Sequence, residues 1–188
     1  MTEAVGPVGG GGALRALRGL VSPPVVGGVT VDWDELYEGT GVRLPDDYRE
    51  FVAAYGGGEF NSYMAVIIPP AEGYPYGGQW YGVPELIDLE AHVDVPVWLH
   101  GVKVLSYAGD ADGDEVFWTC AAEDPNAWGT LVYKRQHKAR EDPWKRFSMG
   151  MVDFWSALFR GEIESPFSSG SFPGGNPTYK NWRESDYL

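Results

Sequence analysis

The sequence predicts an α+β fold: a single domain with N-terminal helices, a central, mostly antiparallel sheet and a C-terminal helix. Three observations predict it. Apolar residues recur at helical spacing before residue 56 and again after residue 150, and between them lie several short strand-like runs closed by turn residues. The length, 188 residues, suits one hydrophobic core. Helices, then strands, then a helix is the order of a sheet covered on one face by helices.

The elements follow in chain order. Residues 1–28 read as a flexible Gly/Pro-rich leader, although ALRALRGLV has the spacing for one or two amphipathic turns. A short helix around Trp33 to Glu38 follows, with Leu36 and Tyr37 as its expected buried partners. Pro45 at a first-turn position, then Asp46 and Asp47, opens a second helix in which Tyr48, Phe51, Val52 and Tyr55 fall at i, i+3, i+4, i+7. Gly56, Gly57 and Gly58 stop it. Strands are expected at Tyr63 to Ile68, Val102 to Ala108, Glu115 to Cys120 and Thr130 to Arg135. Met151, Phe154, Trp155, Leu158 and Phe159 then repeat at helical spacing, with Ser148 as the cap and Gly161 as the stop. The domain runs over residues 29–160. Residues 161–188 form an extension rich in Gly, Ser and Pro, yet it carries Phe167, Phe172, Tyr179, Trp182 and Tyr187. A purely solvated tail seldom holds so many rings, so part of it is expected to pack on the domain or on a partner.

Composition excludes several classes of function. Fourteen Lys and Arg stand against 27 Asp and Glu, a formal net charge of −13. Direct nucleic-acid binding relies on neutralising phosphates with cations and is not expected. Cys120 is the one cysteine, so no intrachain disulfide forms and the metal patterns built on paired cysteines are absent. A reducing, cytoplasmic setting fits. The first residues lack the apolar segment of a signal peptide, and no run approaches the roughly 20 apolar residues that span a bilayer. Charge is also uneven: Asp32 to Asp124 holds 19 acids against Arg43, Arg49 and Lys103, while Lys134 to Arg160 is net basic. One part of the surface is therefore expected to be strongly electronegative.

Few residues suggest bond-making chemistry. Asp110, Asp112 and Asp114 in GDADGDE are spaced like the start of a calcium loop, but Glu115 and Ala121 stand where such a loop needs Gly and Glu. A tight turn, with Gly109 and Gly113 at positive φ and the Asp side chains bonding local amides, is the reading favoured by this spacing. A single acidic metal contact is the other use of the same residues. Cys120 lies in the apolar run EVFWTCAA, where a free thiol is a small inert core residue. His92, His100 and His137 show neither triad nor metal-ligand spacing. KRQHKAREDPWKR reads as a solvated hairpin or loop, or as a grip for phosphate or an acidic partner. No cofactor, metal or catalytic set is expected.

Several segments together resemble the SUKH superfamily. WDELYEGTGVRLPDDYREFVAAYGGGEF, Trp33 to Phe60, is similar to its opening signature: an acidic, Trp-bearing helix, a Gly turn, Leu-Pro-x-x-Tyr-Arg, an apolar helix and a Gly-rich stop. YAGDADGDEVFW, Tyr107 to Trp118, resembles its Gly-Asp-x-x-Gly-Asp strand-turn-strand, and Trp128 to Tyr133 occupies the place of the next strand. The matched positions are Trp33, Glu35, Leu44, Pro45, Tyr48, Gly57, Asp110, Gly113 and Asp114. The segment from Pro69 to Trp98 and both tails depart from the pattern. The resemblance implies a SUKH-like fold without a catalytic set. It also implies one of two functions: a bacterial immunity protein that blocks a cognate toxin, such as a nuclease or deaminase, or a regulatory scaffold of the Smi/Knr type with an endogenous partner.

An immunity protein working by occlusion joins this resemblance to the acidic segment, because a basic nuclease carries a groove complementary to an acidic face. The expected contact residues are Asp32, Asp34, Glu35, Glu38, Asp46 and Asp47, with aromatic anchors Tyr74, Tyr76, Trp80 and Tyr81 from the loop GYPYGGQWYG. A second reading of that loop folds it over the sheet with its rings buried.

Overall fold

Four helices and eight antiparallel strands form an α+β unit among the described residues, which are 10–72, 74, 87–88 and 95–184 of the computed structural model. The helical spacing read from the sequence is realised almost residue for residue. In α3 (Asp46–Tyr55) the side chains of Tyr48, Phe51, Val52 and Tyr55 are fully buried. In α4 (Met151–Phe159) Met151, Phe154, Trp155 and Leu158 are buried, and Gly161 N–H bonds Leu158 O just beyond its end. The shorter α2 (Trp33–Thr40) lies on the surface with no fully buried residue. Tyr37, expected inside, is exposed; Leu36 and Trp33 are partly buried against the core, and the Trp33 ring meets Tyr48 edge-on at 6.1 Å.

The leader reading does not hold for the described residues. Residues 10–20 form α1 (Gly10–Leu20), whose Ala13, Leu14 and Leu17, together with Val21, are buried in the main core. Three apolar residues at helical spacing suffice once α3 and α4 offer a surface for them, whatever the flanking Gly and Pro content.

The strands are β1 (Gly58–Phe60), β2 (Met64–Val66), β3 (Ile87–Asp88), β4 (Lys103–Gly109), β5 (Glu115–Thr119), β6 (Gly129–Tyr133), β7 (Trp144–Phe147) and β8 (Tyr179–Asn181). They run in the spatial order β7-β6-β5-β4-β2-β1-β8, with β3 pairing β4. Four strands, β1, β3, β7 and β8, fall outside the sequence expectation. Gly58 to Phe60, read only as a helix stop, pairs with both β2 and β8. The basic stretch is a hairpin as expected, but its second arm, Trp144 to Phe147, is a sheet strand on β6.

Alternation along the strands divides two apolar faces. Leu105, Tyr107, Val116, Trp118 and Val132 face the helices, while Val104, Phe117, Leu131 and Trp144 form a smaller cluster with Leu99 on the opposite side. The sheet is thus apolar on both faces, where one covered face was expected.

The C-terminal extension packs on the domain, as its aromatic content suggests. Phe167 stacks on Trp155 at 6.1 Å, Phe172 is buried, and β8 completes the sheet edge. Asn181, fully buried, donates through Nδ2 to Tyr55 O at 2.7 Å and Gly27 O at 3.1 Å. Arg183 Nη2 donates to Gly27 O and Gly28 O at 3.0 and 2.7 Å. One continuous core therefore joins α1, the central segment and the extension, in place of the expected division at residues 28 and 160.

Candidate functional site

Asp32 caps α2: its Oδ1 accepts from Asp34 N at 3.2 Å and Glu35 N at 3.0 Å, meeting two amides that the helix leaves unpaired. Asp34 and Glu35 then occupy the first turn and Glu38 the next, all exposed. Among the described residues none of these four forms an ion pair. The nearby bases are engaged elsewhere: the Arg43 guanidinium lies over the Tyr37 ring at 4.2 Å, and that of Arg49 over Trp33 at 5.4 Å. Arg49 also reaches Asp46 at 3.4 Å.

Asp46 joins this face through a contact that sequence reasoning missed. Its N–H donates to Asn126 Oδ1 at 2.8 Å, and its Oδ2 accepts from Asn126 Nδ2 at 3.1 Å. The turn that carries Asn126 is capped by Asp124, which accepts from Asn126 N at 2.9 Å. Asp34, Asp46 and Asp124 consequently line one recess of about 220 Å³ with Trp33, Tyr37 and Arg43. Asp-Pro-Asn is a legible turn signature, but nothing local names its partner 80 positions away.

Two expected contact residues do other work. Asp47 turns inward, and its Oδ2 accepts from Val152 N at 3.0 Å, so it caps α4 in place of the expected Ser148. Burial raises its carboxyl above the ordinary value, more than its backbone hydrogen bonds lower it. Tyr74 is 7% exposed: its hydroxyl accepts from Asn181 Nδ2 at 3.0 Å, and Arg183 lies 5.2 Å above its ring. It is a core residue, not an open anchor, and its hydroxyl stands where a Cβ on Gly56, at φ 67°, would project. Tyr76, Trp80 and Tyr81 lie outside the described residues, as does His92.

The GDADGDE segment is a tight turn. Asp110 Oδ1 accepts from Asp112 N and Asp114 N at 2.8 and 3.1 Å, and Gly113 takes φ 90°, while Gly109 remains in β4. Asp114 is fully buried and accepts from Arg135 N at 2.8 Å, Ser168 N at 2.5 Å and Ser168 Oγ at 2.6 Å. It fastens the turn to the segment just after β6 and to the C-terminal extension. Among the described residues no group of three or more His, Cys, Asp or Glu is arranged to hold a metal ion. Burial pushes the Cys120 thiol up to about 12, far from the range of a reactive thiolate.

No protein-family model, curated protein or solved structure matches the chain. The geometry therefore stands by itself: an acidic helix whose carboxylates form no ion pair among the described residues, a recess beside it, and aspartates elsewhere that serve as braces. No helix among the described residues is long and apolar enough to cross a membrane.

Proposed function

We propose that this protein is an immunity protein of the SUKH type, acting in the cytoplasm without catalysis. In this reading it binds a cognate protein toxin, a basic nuclease or deaminase, and occludes it with an acidic surface. The observation that carries the reading is the exposed set Asp32, Asp34, Glu35 and Glu38, beside Asp46 and Asp124. Carboxylates so placed steer a basic partner, raising association rates by about 10- to 1000-fold. The resemblance of Trp33 to Phe60 and of Tyr107 to Trp118 to SUKH segments supports the same reading.

The test is co-expression with the toxin encoded by a neighbouring gene. The wild-type chain is expected to restore growth and to co-purify with the toxin. A triple variant, Asp34→Lys, Glu35→Lys, Glu38→Lys, changes only exposed positions and is expected to associate more slowly while remaining folded. Absence of protection and of any complex with the wild type would refute the proposal. Equal association rates for the two proteins would remove the α2 face from it.

A further inference from the structure

Next to the α2 recess lies a larger cleft, about 1080 Å³, between the β5–β6 connection and the segment leading from β7 into α4. The two share Asp46 and Asp124, so the acidic face continues into the cleft. Small and apolar side chains leave it open: Ala13 and Ala157 from the helices, Ala121 and Ala127 on the β5–β6 side, with Trp128 and Met149. Ala121 and Ala127 are exposed. Among the described residues, five carboxylates line it against two guanidinium groups, Arg146 and Arg160, a net of −3. Arg160 is already paired with Glu162 at 2.7 Å.

Two helix N-termini also face the cleft, and bare termini would favour an anion, each carrying about half a positive charge. They are not bare. Asp46 and Asp47 sit in the first turn of α3, Asp153 in that of α4, and Asp47 bonds the Val152 amide. Together the termini supply about one charge, less than the carboxylate excess. The lining is therefore complementary in charge to a cation. Burial raises the Asp153 carboxyl, although the Arg160 charge opposes it, and both burial and repulsion from Asp153 raise that of Asp47, so a further cation lodged near this pair offsets the remaining cost.

We infer that this cleft seats a basic, apolar-anchored segment of the partner protein, one in which Lys or Arg flanks a Leu- or Ala-sized side chain. The inference rests on the docking function proposed above and adds the place of insertion. The α2 face carries the most exposed carboxylates, which favours encounter; the larger cleft joins charge to the exposed Ala121 and Ala127, which favours retention.

The probe is a short synthetic peptide alternating Lys or Arg with Leu and Ala, titrated into the full ¹⁵N-labelled chain, with a Glu-substituted peptide as control. The basic peptide is expected to shift the amide signals of Ala121, Ala127, Gly129 and Gly150, and the control to leave them in place. Ala127→Arg puts bulk and positive charge into the cleft at an exposed position and is expected to weaken binding about tenfold. Shifts confined to α2, or binding indifferent to Ala127→Arg, would overturn the cleft assignment. If no basic peptide binds while the co-expressed toxin is still neutralised, the cleft falls and the docking function stands. If neutralisation itself fails, the function falls first.

Discussion

Asp47 stands in the first turn of α3, yet its carboxylate holds the Val152 amide of α4 at 3.0 Å. Burial raises its carboxyl above 3.8, so the fold tolerates the protonated form better than water does. The stabilising contribution of that proton is complete below the unfolded value and is lost as pH rises through the raised folded value. Asp47→Asn keeps an acceptor oxygen and removes the charge; near neutral pH it is expected to melt higher than the wild type, with the gap closing below pH 3.8. Asp47→Ala removes the cap and is expected to lose about 1 kcal/mol. If Asn melted as low as Ala, the charge itself would be the stabilising element. At Asp114, fully buried, Asp114→Ala leaves the amides of Arg135 and Ser168 without their acceptor. A loss of about 3 kcal/mol in urea unfolding is expected, and a change within experimental error would mean that water replaces the carboxylate.

Among the elements, α1 and β8 show how tertiary partners rescue weak local signals. Eleven residues rich in Gly make a marginal helix alone, but Leu17 is fully buried in the main core. Leu17→Ala is expected to destabilise the whole protein by about 3 kcal/mol, measured by denaturant unfolding. A mere loss of helicity in residues 10–20, with the rest unchanged, would show that α1 is an independent appendage. β8 is three residues long and has no alternating apolar run of its own. It exists because β1 presents an edge to it, with Glu59 opposite Lys180 and Phe60 opposite Tyr179. The 3.6-residue repeats of α3 and α4 were legible because they record a stripe facing one core. β1 and β7 were not, because a Gly-rich stop and a Lys/Arg-rich stretch carry no period until a neighbouring strand pairs with them.

Across the whole molecule, the carboxylates of the acidic segment divide into two populations. Asp47 and Asp114 turn inward as hydrogen-bond acceptors for backbone amides, while Asp32, Asp34, Glu35, Glu38 and Asp46 stay at the surface. Steering by the surface group is screened over about 10 Å at 0.1 M salt. Association with a basic partner is therefore expected to slow with added salt, measured by stopped flow, while dissociation changes much less. A salt-independent association rate would place the interface elsewhere. Two properties followed from the amino-acid sequence by itself: the α+β class, with the positions of α2, α3, α4, β2, β4, β5 and β6, and the acidic balance of the segment from Asp32 to Asp124. Periodicity, turn residues and charge are local, and they are written in consecutive positions. Only the tertiary structure decided which aspartates remain surface charges and which become braces, and whether Tyr74 stands outside or in the core. Those outcomes depend on pairings such as Asp47 with Val152 and Asp46 with Asn126, 105 and 80 positions apart. Chain closure over such distances is driven by burial of the shared core, and no short window of residues records it.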